Sequence, residues 1–530
     1  MPPQTPSLLL PAQDNTGRKP LHDDTNLTPL VLMLLLGHLL MWTVLANLSH
    51  RAPDVDNMEQ FVWASALEWG YYKHPPLPSW ILYGLVSVFG RPVWLSFFTG
   101  QLSVVLSLWF VWKLGCELTT QRRALIATLL VSMVSYFTVG GLMNNHNTMQ
   151  LWSVAAAIWM FYRALRYDSL WDWAGFGFFC GLAFLTKYSA LIQFATFFLF
   201  LLVAGHLRRA RVWQGIALAT LVFAFLVTPH LVWLTQMSGP FGYASHSLAP
   251  VESYGAYMGV LISFCLSNLG RLAPLGFALA FIRIGAARQE KSGLTVRHQT
   301  KMVADCAAAD RFFLLFVGLG PVVLTLLVSA LLKTPLVAHW AATFFLLFGF
   351  FAFWVLKSGN DAVILRMTIT VVVILQILTA IGYNLARGPF SDMTGRATRS
   401  TFPGEAISRQ VHAQWQEHVR TPLVLVVADT WLGGNIATRI GPKVQVLING
   451  DFSKSPWVQP AEATRCGMLV AINRSPSDAD VTDEKVVDLM NQAAWRGTIQ
   501  LPWTKKTDGP QVIVDWGIIA PQPGCRAAEH

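Results

Sequence analysis

Between Arg51 and Trp80 the chain reads RAPDVDNMEQFVWASALEWGYYKHPPLPSW. The stretch collects carboxylates (among them Asp54, Asp56 and Glu59), two adjacent tyrosines (Tyr71, Tyr72) and a Lys73-His74 pair. A carboxylate held beside a hydroxyl can take its proton. Cationic side chains on a rigid turn can stabilise an anion leaving the same centre. Pro75 and Pro76 stiffen the turn and lack backbone donors, so an anion bound there must be met by side chains. A purely structural account also exists. Asp54 or Asp56 suits a helix N-cap, Glu59 has capping-box spacing from Asp56, and Lys73 can contact lipid headgroups.

Further polar residues stand where a membrane interior would reject them. They are Asn144, Asn145, His146 and Asn147 at one hairpin, and Lys187-Tyr188 at another. Thr228-Pro229-His230 precedes a loop holding His246 and Glu252, and Lys333, Thr334 and His339 follow later. Ionisable residues at membrane depth need partners or a task. Sharing one depth, these would form a single site; otherwise they are interfacial anchors.

The scaffold for these groups follows from composition. Of 530 residues, 53% are hydrophobic and 13% charged, and mean hydropathy is +0.45. That charge share is about half the usual soluble value, which indicates a polytopic α-helical membrane protein. Apolar runs of about 20 residues, enough to cross a bilayer as helix, fall near 27–48, 92–114, 124–141, 148–165, 171–186, 189–205, 212–234, 256–284, 312–332, 337–356 and 362–385. The expectation is therefore about 11 or more transmembrane helices. Run 256–284 contains Arg271 and Pro274 and is expected to kink or break. The net charge of +10 concentrates in short basic clusters, at Arg122-Arg123, Arg163 with Arg166, Arg208 to Arg211, and Arg283 to Lys301. Read as cytoplasmic loops, these explain the basicity without any nucleic-acid partner. The spans do not alternate cleanly with every cluster, so one is miscounted or re-entrant.

On this topology residues 1–26 are a disordered cytoplasmic leader before a signal anchor. The membrane domain covers 27–385, and its first external loop, 49–91, carries the chemistry. From 386 to 530 the composition turns mixed. Strand patterns at 443–448, 468–472, 497–501 and 511–519 join a strand–turn–helix at 422–440 and a short helix at 486–495. This predicts a small extracytoplasmic α/β domain, in which Cys466 and Cys525 can pair if the compartment is oxidising.

Four segments carry a family resemblance: DNMEQFVWASALEWGYYKHPPLPSW (56–80), GLAFLTKYSALI (181–192), PHLVWLTQMSG (229–239) and KTPLVAHWAA (333–342). Through them the chain resembles the GT-C glycosyltransferases of the dolichyl-phosphate-mannose protein mannosyltransferase superfamily. The resemblance is to the bacterial branch that uses polyprenyl-phosphate sugars, where the lipid A aminoarabinose transferases are relatives. It implies inverting transfer of a hexose or pentose from a polyprenyl-phosphate donor to a hydroxyl acceptor. That acceptor is a glycolipid, lipid A, a wall polymer or a protein, at the external face of a bacterial inner membrane. Asp56 matches the acidic residue that opens the family's first external loop and acts as base, with Glu59 as the second carboxylate. The implied substrate contacts are Tyr71, Tyr72, Lys73, His74, Asn147, Lys187, Tyr188, His230, Lys333 and His339. The chain departs from the family at Asn57, often Glu, and at Lys73 and Asn147, often acidic. No cofactor is obligatory in such a transfer. A divalent metal is possible, but no ligand spacing supports one. The alternative from another class is a lipid-linked-sugar flippase or other transporter, favoured by the Arg271–Pro274 segment. An enzyme-dead binding scaffold is the third reading.

Overall fold

The computed structural model describes residues 10, 26–237, 239–291, 307–356, 361–476, 482–523 and 525. The expected leader 1–26, apart from Leu10 and Asn26, and most of the last basic loop lie outside them. Among the described residues, six helices are long and apolar enough to cross a membrane: Thr28–Ser49, Val93–Leu118, Ala210–Gln236, Tyr254–Arg288, Ala308–Leu332 and Asp361–Thr394. Two more candidates are bent pairs. Gln121–Val131 turns through 88° into Ser135–Leu142, and Ala338–Phe345 turns through 65° into Phe348–Val355.

The structure thus gives six to eight such spans rather than eleven. The difference has local causes. The runs expected at 171–186 and 189–205 are helices of 17 and 14 residues, Leu170–Thr186 and Ala190–Val203. The run at 148–165 lies in His146–Tyr167, which buries Thr148, Gln150 and Ser153. Caps set several boundaries. Asn145 accepts from the backbone N–H of Asn147 and Thr148, both at 3.0 Å, and Ser169 accepts from that of Asp172. Prolines are weaker stops than the sequence suggested. Tyr254–Lys291 runs through Pro274 unbroken, and Ala210–Gln236 runs through Pro229, so His230 sits inside a helix. Apolar helices tolerate proline where neighbouring groups re-satisfy the freed carbonyl.

Beyond the last long helix the described residues form one five-stranded sheet, in the order β2-β1-β3-β5-β4. The strands are β1 Leu425–Ala428, β2 Gln445–Ile448, β3 Met468–Asn473, β4 Trp495–Pro502 and β5 Gln511–Ile519. β1 pairs in parallel with β2 and β3, while β5 is antiparallel to both β3 and β4. Thr430–Ile440 makes the crossover from β1 to β2, and Glu484–Gln492 precedes β4. A disulfide joins Cys466 to Cys525.

This sheet unit shares its core with the 49–91 loop. Met58, Phe61, Val62 and Trp63, from the short helix Val55–Trp63, cluster with Trp415, Leu432, Ile436 and Val446. Each such side chain contributes about 1.5–3 kcal/mol when taken from water. The two helices meet at Gly434, where an added Cβ would lie 3.2 Å from Met58 Sδ and Val62 Cγ2. Trp431 Nε1 donates to Pro53 O at 3.1 Å, and Arg91 donates to Val444 O and Ser65 Oγ, each at 3.1 Å. The sheet unit therefore braces the loop that carries the candidate chemistry.

Candidate functional site

The residues singled out in the sequence separate into three groups. The first centres on Asp56, in the first turn of Val55–Trp63. Its Oδ2 accepts from Asn145 Nδ2 at 2.8 Å, while Asn145 Oδ1 caps the His146–Tyr167 helix. One asparagine thus fixes the carboxylate against a rigid helix end. The neighbouring Asn57 is fully buried and structural. It donates to Ser96 Oγ and Leu142 O, both at 3.0 Å, and accepts from Asn144 N at 3.1 Å. Asn57 therefore clamps the loop helix to the hairpin, a task for which glutamate lacks the donor.

Lys187, in the link between two short helices, donates to Asn147 Oδ1 and stands 5.4 Å from the Trp340 ring centroid. Burial brings its ammonium down to about 7, with Asp56 pulling the other way. His339 lies in the fields of Lys187, Asp56 and Arg271. Arg271 stacks 4.8 Å over the Tyr136 ring, with its Nε buried and without a partner.

The second group surrounds Lys73. Its Nζ meets Glu59 Oε1 at 2.6 Å, and Tyr72 Oη reaches the same oxygen at 3.4 Å. The Lys73 ammonium also faces the Tyr72 and Tyr243 rings, at 5.1 and 5.8 Å. Burial raises the Glu59 carboxyl above its usual range, against the pull of Lys73. The Asp56–Glu59 capping box does not form. Asp54 occupies the N-cap without a side-chain capping hydrogen bond, and Glu59 is spent on Lys73. The His74 ring lies 4.1 Å from that of His146 and 5.4 Å from that of Tyr243. Burial, then the nearby His146, Lys187 and Lys73, hold His74 well below its ordinary value. It is a neutral imidazole at pH 7 rather than the cation expected from sequence. Tyr71 is the loop's internal brace. Its ring stacks on Trp63 at 5.0 Å and its hydroxyl donates to Ala66 O at 2.8 Å.

The third group is structural in character. His230 donates from Nδ1 to Trp69 O at 2.6 Å and accepts at Nε2 from Tyr188 Oη at 3.0 Å. Beside it, an added Cβ on Gly70 would lie 2.2 Å from Trp233 Cζ3, so only glycine lets the loop approach. Lys333 joins none of the three groups. It is an exposed residue at φ 52° that ends Ala308–Leu332.

The sequence reading assigned no task to Asn145, His146, Arg271, Tyr243 or Trp340. The polar run 144–147 was a usable signal for the first two. Arg271 was marked by its charge inside an apolar run, whereas nothing local marks Tyr243 or Trp340, whose partners lie far away in the chain. Among the described residues no group of three or more His, Cys, Asp or Glu side chains is placed to hold a metal.

Comparison with known proteins agrees with this architecture. The family described as dolichyl-phosphate-mannose-protein mannosyltransferase matches residues 73–233. The lipopolysaccharide core galacturonosyltransferase RgtA of Rhizobium johnstonii is 23% identical over 521 residues, covering 92% of this chain and 97% of that protein. The lipid A galacturonosyltransferase RgtD of the same organism is 23% identical over 253 residues, 46% of this chain and 52% of the relative. The apo crystal structure of ArnT from Cupriavidus metallidurans aligns with a TM-score of 0.51 at 14% identity, covering 92% of this chain and 98% of ArnT. Over residues 73–233 the chain is thus similar to the dolichyl-phosphate-mannose-protein mannosyltransferases, along nearly its whole length it is similar to a bacterial galacturonosyltransferase, and its fold is like that of ArnT.

Proposed function

We propose that this protein transfers a sugar from a polyprenyl-phosphate donor to a glycolipid hydroxyl at the external face of a bacterial inner membrane, with Asp56 as the base. The observation that carries this reading is the Asp56–Asn145 hydrogen bond of 2.8 Å, next to the Lys187 cation. It supplies a held proton acceptor and a cation in one place. Asp56 takes the proton of the acceptor hydroxyl as its oxygen attacks the anomeric carbon. The sugar–phosphate bond breaks and the polyprenyl phosphate leaves with the electron pair. Attack opposite the leaving group inverts the anomeric centre. Lys187 and Arg271 are the cations that offset charge growing on the phosphate, an effect worth several kcal/mol in a water-poor site. Neutral His74 and His146 serve as hydrogen-bonding groups, not as cations.

A glycolipid acceptor is favoured because the curated relatives are named for lipopolysaccharide core and lipid A. The sheet unit, packed on the 49–91 loop, then lies on the external side and the N-terminus on the cytoplasmic side.

The test is release of free polyprenyl phosphate, measured by mass spectrometry, from protein in liposomes supplied with lipid-linked sugars and lipid A-type acceptors. Wild-type protein releases it, and folded Asp56→Asn is slower by about 10²–10⁴-fold. Equal release from both removes Asp56 from the mechanism.

A further inference from the structure

Three helices, Thr28–Ser49, Gln121–Val131 and Asp361–Arg387, start at the same end of the membrane domain and part in their middle. At their starts they are tied, because Leu27 N donates to Gln121 Oε1 at 2.9 Å and Arg123 Nε to Asp361 Oδ2 at 2.7 Å. Toward the 49–91 loop they are tied again. Trp42 Nε1 donates to Gln376 Oε1 at 3.0 Å, and Gln376 Nε2 donates to Ser132 O at 2.8 Å. Between the two ties lies a groove of about 270 Å³, walled by Leu34, Leu35, Leu125, Leu129, Val372 and Val373. Exposed Leu36 and Ile374 flank it, so it opens toward the membrane. The polar residues on its wall are already satisfied. His38 bonds to Gln101 at 3.1 Å, and Thr128 and Ser132 donate to the carbonyls of Ala124 and Leu129.

Such a wall takes hydrocarbon, and an unfilled gap would forfeit its dispersion contacts. Gly37 marks the path of the occupant. It lies on the groove wall, and a Cβ built there meets no described heavy atom within 4 Å. Glycine inside a helix is less stable than alanine, and no described protein atom requires it here. Charges at the helix starts name the headgroup. Arg122 precedes Leu125, Leu129 and Ser132 by three, seven and ten residues, which puts it on the lining face of its helix. Exposed Arg366 precedes Val373 and Ile377 by seven and eleven, on the lining face of its own. With Arg123 they set three guanidiniums against one carboxylate, Asp361, on the described starts of these helices. Basic pockets between membrane helices bind anionic lipid headgroups.

We propose that the groove holds one acyl chain of an anionic glycerophospholipid, with the headgroup phosphate on Arg122 and Arg366. This end of the three helices is opposite to the 49–91 loop and the sheet unit, so the lipid is separate from a donor whose phosphate must reach Asp56. The acyl chain wedges the helix that leads into the loop against the helix that leads into the sheet unit, and so stiffens both supports of the candidate site. Binding does not rest on the proposed transfer.

Full-length protein, delipidated in mild detergent, is offered equal amounts of phosphatidylglycerol, zwitterionic phosphatidylethanolamine and polyprenyl phosphate, and the retained lipids are counted by native mass spectrometry. Wild type and Asp56→Asn should each keep one phosphatidylglycerol in preference to phosphatidylethanolamine, and polyprenyl phosphate should not displace it. Gly37→Phe fills the groove and should lose that lipid, whereas Leu36→Phe, exposed beside the groove, should keep it. Arg122→Gln combined with Arg366→Gln should cut the preference for phosphatidylglycerol about thirtyfold, the worth of two cations at a membrane surface. This double variant leaves the groove itself untouched, so it decides the matter even where Gly37→Phe fails to fold. Equal retention by Gly37→Phe and wild type overturns the groove. Equal uptake of the two phospholipids by wild type, or an unchanged preference in the double variant, overturns the headgroup contact. Displacement of phosphatidylglycerol by polyprenyl phosphate in wild type gives the groove to the polyprenyl chain and overturns the proposal as well.

Discussion

Glu59 was expected to act on substrate as a second carboxylate, yet its geometry is that of a counterion, and a double-mutant cycle separates the two roles. The Lys73–Glu59 contact is 2.6 Å, with side-chain exposures of 26% and 8%. Removing one member of a buried pair costs about 3–5 kcal/mol, because the survivor stays charged and unpaired. Glu59→Gln keeps the shape and strands the Lys73 ammonium. The Tyr72 and Tyr243 rings and partial exposure soften that cost, so about 3 kcal/mol is expected. Lys73→Met strands a carboxyl that burial already pushes upward. It takes up a proton instead of staying charged, and the expected cost is about 2 kcal/mol. The double variant removes both charges and should also cost about 2 kcal/mol, which leaves a coupling of about 3 kcal/mol. The assay is unfolding by titration with dodecyl sulfate in mixed micelles, with kcat/KM for the donor measured alongside. If Glu59 only holds Lys73, the double variant is no slower than Lys73→Met alone. Stability losses that add within 0.5 kcal/mol, combined with a double variant slower than Lys73→Met, would refute the counterion argument and return Glu59 to the substrate.

Three further perturbations test the remaining parts. Lys187 falls from its ordinary 10.5 to about 7, so its ammonium is present below that pH and is lost above it. Donor kcat/KM should therefore decline above about pH 7, and Lys187→Arg, which keeps its charge, should move that decline to higher pH; an unmoved alkaline limb excludes Lys187 as the cation. Asn145→Ser retains a capping oxygen but loses the donor to Asp56. Stability should change by less than about 1 kcal/mol, while kcat falls ten- to a hundredfold at constant donor KM; a full loss of folding would show that Asn145 is structural. The Cys466–Cys525 bridge closes a separation of 59 residues, so Cys466→Ser should destabilise the sheet unit by about 2–4 kcal/mol. Reduced wild-type protein should melt with the variant in differential scanning calorimetry, and coincident melting of oxidised wild type and variant would contradict it.

The fold was most legible where one local pattern sufficed. Short β-branched runs bounded by turn residues located the strands, and the predicted helix at 486–495 differs from Glu484–Gln492 by two or three residues. The long apolar helices were equally plain. Span counting failed where hydropathy hides geometry. The 124–141 run carries no charge, yet it breaks after Val131 and turns through 88°. Proline misled in the opposite sense, because Pro229 and Pro274 signal breaks that the surrounding helices absorb. The packing of the sheet unit on the first loop was invisible in the sequence. It depends on matching Gly434 to Met58 and Val62, residues with no local reason to be paired.

The candidate site shows the same division at the level of single residues. Residue type announced that Asp56, Glu59, Lys73, His74 and Lys187 are ionisable and costly to place in a lipid core. What each does depends on which neighbour it meets. Lys73 and Lys187 look alike in the sequence, but Lys73 is paired with Glu59 at 2.6 Å, whereas Lys187 meets an amide oxygen and an aromatic face and feels Asp56 through space. The unneutralised cation is therefore the better partner for a leaving phosphate, and the paired one is better suited to shaping the loop. By the same reasoning a neutral Asn147, which accepts from Lys187, leaves that lysine its charge. An aspartate there would pair with Lys187 and neutralise a cation that lies in the field of Asp56.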